Sequence, residues 1–116
     1  MAMLERLDRL AAERWARLRD GVRRGGLRRG AWYPVLSRGP DEVVVVVRHE
    51  SVLLPPSYLD IVTTRPSKWS LITEERYAVC PNCAQRVALG RPPERMRCGR
   101  CQVVFEFEEQ HEHSVA

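Results

Sequence analysis

Leu4, Leu7, Ala11, Trp15, Leu18 and Val22 recur at spacings of three and four along the start of the chain. That rhythm places them on one stripe and predicts an amphipathic helix over residues 3–20, with Leu10 widening the stripe. Glu5 with Arg9, and Glu13 with Arg17, are acid-before-base pairs four apart and support a polar outer face. Gly21, Gly25, Gly26 and Gly30 then end the helix and open a linker holding Arg23, Arg24, Arg28 and Arg29. A single helix cannot bury its own stripe. It docks on the rest of the chain, on another copy or on a partner protein, with Leu4, Leu7, Trp15 and Leu18 as the contact residues.

The pattern changes after residue 30. Residues 31–36 are a candidate first strand, with Pro34 marking an edge or a bulge. Residues 37–41 are turn chemistry. The five consecutive valines of residues 43–47 are β-branched and stiff, so they predict a strand covered on both faces. His49 and Glu50 turn the chain into a partner strand over residues 51–54, giving a hairpin that Pro55 and Pro56 end. Residues 58–62 form a short strand or a single helical turn, and residues 68–72 another strand. Short strands separated by proline and glycine predict a small antiparallel barrel or sheet. The strand count and turn spacing of residues 31–72 are loosely similar to an SH3-like barrel. Further on, residues 85–89, a turn at 90–93 and residues 94–97 read as strand, turn, strand. In the segment after Cys101, Val103, Phe105 and Phe107 alternate with Val104, Glu106 and Glu108, the mark of a half-buried strand. No internal repeat is visible.

The expected class is therefore α+β, in four parts: helix and Gly/Arg linker over 1–30, small β domain over 31–75, cysteine-bearing segment over 76–109, and acidic tail over 110–116. At 116 residues the core is small, and a metal would supply a staple. The net charge of +4 is unevenly spread. Residues 1–30 carry nine arginines against four acids, whereas the segment from Gln102 carries four glutamates and no lysine or arginine. Lys68 is the only lysine. Arginine's planar fork suits phosphates and carboxylates. No apolar run is long enough to cross a bilayer, and the first residues resemble neither a secretory signal nor a transit peptide. Unpaired thiols in such a chain point to a reducing, cytoplasmic setting.

The chemistry lies in the cysteines. Cys80-Pro81-Asn82-Cys83 and Cys98-Gly99-Arg100-Cys101 are two Cys-x-x-Cys turns with fourteen residues between them. Each turn aims two thiolates at one point, and two turns close a tetrahedron of sulfur around one ion. Val79-Cys80-Pro81-Asn82-Cys83, the alternating strand after it, Met96-Arg97-Cys98-Gly99-Arg100-Cys101 and Phe105 resemble the short zinc-ribbon domain of many bacterial proteins. The resemblance covers residues 77–108. It implies that Cys80, Cys83, Cys98 and Cys101 hold one structural Zn²⁺. Such knuckles often carry glycine after the second cysteine, where this chain has Ala84 and Gln102.

Three rivals compete for the cysteines. An iron centre of rubredoxin type shares the spacing but lacks the matching glycines and aromatics. A thioredoxin-type dithiol needs a helix start in a βαβ unit, which neither pair has. Disulfides do not suit a reducing compartment. His111 and His113 belong to the acidic tail, and His49 has no obvious partner. No catalytic constellation and no phosphate loop is present. The chain is thus expected to be a non-enzymatic zinc-ribbon protein without a small-molecule substrate or a membrane partner. It contacts nucleic acid or a ribonucleoprotein through Arg23, Arg24, Arg28, Arg29, Arg97 and Arg100, with Trp32, Tyr33 and Trp69 as stacking faces if exposed. The alternative is an adaptor subunit that docks, or self-associates, through its N-terminal helix.

Overall fold

The computed structural model describes residues 12–109. Among these, every regular element is a β-strand or a short 3-10 turn, and the chain divides into two units, one ending at Pro66 and the other starting at Ser67.

In the first unit, β1 (Trp15–Leu18), β2 (Tyr33–Arg38), β3 (Val43–Val47), β4 (Glu50–Leu54) and β5 (Leu59–Val62) form one antiparallel sheet in the order β4-β3-β2-β1-β5. The valine run is an inner strand as its composition demands, with Val43 and Val45 fully buried. Arg48 and His49 close the β3–β4 hairpin at φ of 51° and 70°. These are the left-handed positions of a two-residue type I′ turn, filled here without glycine. Pro34 lies in β2 just before a register shift between Val35 and Ser37. Residues 58–62 combine both expected forms: a 3-10 turn over Pro56–Tyr58 runs directly into β5.

The helix expected over residues 3–20 is overturned wherever it is described, because Trp15–Leu18 is β1, and the architecture is nearly all β rather than α+β. The reason lies in burial. Trp15, Ala16 and Leu18 are all buried, and successive side chains of a strand point to opposite faces, so both faces of this segment are covered. As an inner strand, β1 bonds β2 on one side and β5 on the other. Two hydrogen-bond ladders and a covered position outweigh a modest helix propensity. Trp15 and Leu18 are therefore core residues of this unit and form no docking stripe. Leu4 and Leu7 lie outside the described residues, as do His111 and His113.

Arginines of this region serve the sheet. The Arg17 guanidinium lies 4.4 Å over the Trp32 ring. Arg19 Nε donates to the Leu59 carbonyl at 3.0 Å and lies 3.4 Å from Asp60. Residues 21–30, expected as a linker, lie in the loop joining β1 to β2. Three successive turns build it, closed by Val22 to Arg19, Leu27 to Arg24 and Ala31 to Arg28. A glycine with φ between +84° and +88° fills the third position of each, as type II turns require.

The second unit is also a five-stranded sheet. It contains β6 (Lys68–Ile72), β7 (Tyr77–Val79), β8 (Arg86–Ala88), β9 (Arg95–Arg97) and β10 (Val104–Phe107), in the order β8-β7-β6-β10-β9. Only the β6–β10 pair is parallel. The two strands between the cysteine pairs exist as expected but do not pair with each other; β8 and β9 lie at opposite edges of the sheet. β7–β8 and β9–β10 are two hairpins with the same register. Shifting Tyr77↔Ala88, Ala78↔Val87 and Val79↔Arg86 by eighteen residues reproduces Arg95↔Glu106, Met96↔Phe105 and Arg97↔Val104. The unit is thus an internal duplication of shape. Over residues 77–89 and 95–107 only the cysteines are identical, which is why no repeat is visible in the sequence.

Candidate metal centre

Each hairpin turns through a Cys-x-x-Cys knuckle, and the knuckles share one set of hydrogen bonds. The Cys80 N–H donates to the Gln85 carbonyl and the Cys98 N–H to that of Val103, both at 2.9 Å. The Ala84 and Gln102 N–H groups return to the Cys80 and Cys98 carbonyls at 3.0 and 2.8 Å. The Asn82 and Arg100 N–H groups each point at the first sulfur of their own knuckle, at 3.4 Å. This closure forces Ala84 and Gln102 to φ of 65° and 68°. The position after the second cysteine of each knuckle is therefore left-handed, held by a residue that carries a Cβ.

The two knuckles bring the four sulfurs together. All four Sγ atoms lie within 4.8 Å of one another, with Cys80–Cys101 at 3.8 Å and Cys83–Cys98 at 3.6 Å. A tetrahedron of thiolates around zinc, with bonds of about 2.3 Å, has edges of about 3.8 Å. The donor set therefore fits one tetrahedral ion. All four cysteines are free thiols; Cys80 and Cys98 are buried, and Cys83 and Cys101 are half-buried. Burial pushes the Cys80 and Cys83 thiols up from their ordinary range. Burial pulls Cys101 the same way, but hydrogen bonds from the Asn82 side chain and the Val103 backbone outweigh it and bring that thiol down to about 7.

β6 supplies the floor of the site. Trp69 is fully buried in a cluster with Ala78, Cys80 and Cys98. Its Nε1 donates to the Met96 carbonyl at 3.0 Å, and its ring stacks on Phe107 with centroids 5.9 Å apart. Glu108 continues the attachment, with a carboxylate oxygen accepting from the Leu71 N–H at 3.2 Å. Trp69 and Asn82 are the residues that the sequence did not mark as supports of the site. The signal for Asn82 is its place inside the first Cys-x-x-Cys; the signal for Trp69 is an aromatic in the strand just before it.

The arginines divide between the two units. Arg23, Arg24, Arg28 and Arg29 belong to the β1–β2 loop of the first unit, and Arg23, Arg24 and Arg28 are exposed. Arg97 ends β9 and Arg100 lies in the second knuckle, both in the second unit. Arg97 Nη1 donates to the Gln102 carbonyl at 3.0 Å, and the Gln102 amide reaches the Gly99 carbonyl at 2.9 Å. Trp32, Tyr33 and Trp69 are buried and offer no open stacking faces. No described helix is long and apolar enough to cross a membrane. Comparison with protein families, with curated proteins and with solved structures finds no match to this chain.

Proposed function

We propose that this chain is a non-enzymatic binding protein whose second unit is a zinc ribbon stabilised by one Zn²⁺ on Cys80, Cys83, Cys98 and Cys101. The observation that carries the reading is the convergence of four sulfurs within 4.8 Å from two equivalent knuckles. Four thiolates complete a tetrahedral shell and leave no position for water or substrate, so the metal stabilises structure and performs no hydrolysis. The first unit is a small five-stranded antiparallel sheet in the order β4-β3-β2-β1-β5, which supports a small binding module.

The partner in this reading is nucleic acid or a ribonucleoprotein, held through exposed arginines of the β1–β2 loop and the second knuckle. With the tryptophans buried, contact runs through phosphates rather than base stacking. Metal analysis of the purified chain is expected to return one zinc per molecule; a metal-free chain overturns the zinc assignment. Binding to a fluorescent duplex is expected to weaken steeply with salt. Replacing Arg23, Arg24, Arg28 and Arg29 by glutamine is expected to flatten the log–log slope by roughly three to four. A salt-independent affinity overturns the nucleic-acid reading and leaves the zinc site standing.

A further inference from the structure

Two sulfur–sulfur contacts across the centre join one knuckle to the other: Cys80–Cys101 at 3.8 Å and Cys83–Cys98 at 3.6 Å. Each link pairs a buried sulfur with a half-buried one. This follows from the duplication, since the first cysteine of each knuckle faces the Trp69 cluster and the second lies nearer the surface. We propose that the centre is also a site of oxidative modification by hydroperoxide, in which disulfides form across the knuckles, Cys80 to Cys101 and Cys83 to Cys98, as the metal leaves. The inference rests on the zinc reading given above.

The accessible member of each pair meets the oxidant and the buried member resolves it. The Cys101 thiolate attacks one oxygen of hydrogen peroxide; an S–O bond forms, the O–O bond breaks and hydroxide departs. The Cys80 thiolate then attacks the sulfenic sulfur; the S–S bond forms, the S–O bond breaks and a second hydroxide departs. Two thiolates lose two electrons, and the peroxide gains them and ends as water after taking protons from solvent. Cys80, Cys83, Cys98 and Cys101 would hold a divalent ion only as thiolates, so these steps would remove its ligands without changing its charge. A second peroxide repeats the steps at Cys83 and Cys98.

The direction of pairing matters because of the topology. β7–β8 and β9–β10 are not hydrogen-bonded to each other; β6 stands between them. Bonds within a knuckle would leave the hairpins joined only through β6. Bonds across the knuckles replace the metal's own link between the two hairpins. The oxidised, metal-free unit therefore keeps its sheet.

The chain's own trypsin sites decide between the pairings. Cleavage after Arg76, Arg86, Arg97 and Arg100 puts Cys80 and Cys83 on one peptide, and separates Cys98 from Cys101. The full-length chain is reduced, its zinc counted, and then treated with about two equivalents of hydrogen peroxide. Zinc release measured with a chromogenic chelator is expected to parallel thiol loss. The expected product is a single species joining peptides 77–86, 98–100 and 101–116, with fragmentation after Asn82 assigning Cys80 to the last peptide. Amide exchange at Ala78 and Met96 is expected to stay slow after oxidation and to become fast on reduction with chelator present. A free 77–86 peptide with an internal disulfide, or sulfinic acids without disulfides, overturns the inference. The zinc count made before oxidation tests the metal reading separately. On a chain that proves metal-free, the same peptide map still decides the pairing.

Discussion

Ala84 and Gln102 occupy the same place in two turns, yet they meet the cost of left-handed backbone differently. A Cβ at positive φ costs about 1–2 kcal/mol. Gln102 recovers part of this through its amide bond to the Gly99 carbonyl, and Ala84 has no side-chain polar group to do so. Ala84→Gly is therefore expected to stabilise the metal-loaded second unit by about 1 kcal/mol, and Gln102→Gly by less, as read from denaturation midpoints. The same reasoning applies to Arg48 and His49, both left-handed without glycine. Exchanging the pair for Asn-Gly, the favoured type I′ sequence, is expected to stabilise the first unit by about 1 kcal/mol. An unchanged midpoint would show that the turn relaxes at no cost. The residue chemistry was readable in advance only in part. Four cysteines in two pairs announce a shared ligand, whereas nothing in Ala84 or Gln102 themselves reveals that the knuckle places them at positive φ.

At the scale of elements, the hairpins and β6 depend on one another. A three-residue strand such as β7 or β9 is too short to persist by its own ladder; it needs the knuckle at one end and Trp69 beneath it. Cys98→Ser removes a ligand from the buried end of the second knuckle. It is expected to abolish stoichiometric zinc and to make the amides of Ala78, Val79, Met96 and Arg97 exchange freely. Slow exchange there with no metal bound would contradict the coupling of metal and fold. Val43–Val47 was legible as a strand because five β-branched residues in a row favour no other element. Trp15–Leu18 was not, because Trp15 and Leu18 satisfy helical spacing, and the burial of Ala16 between them becomes visible only when β2 and β5 close on either side. The shared register of β7–β8 and β9–β10 was equally hidden, since hydrogen bonds through the backbone repeat a shape without repeating side chains.

For the molecule as a whole, protons and metal compete for the same sulfurs. Burial holds the Cys80 and Cys83 thiols protonated beyond their ordinary range, so binding a cation must expel those protons. Affinity for zinc is therefore expected to rise with pH. Its slope is expected to be steeper below about 7, where Cys101 must also give up a proton, than above it. Competition with a chelator of known pH dependence checks this; a flat profile between pH 6 and about 8 would mean that the thiols are already ionised without metal.

What the amino-acid order settled alone was local. The thiolate pairs fix their own turns through hydrogen bonds a few residues long, and the valine run fixes its extended backbone by side-chain branching. What tertiary structure decided was every pairing between distant residues. It made residues 15–18 an inner strand, laid Trp69 under the cysteines and set β6 parallel to β10. Those outcomes depend on which surfaces are left to cover once the rest of the sheet is in place, and a short segment carries no record of that.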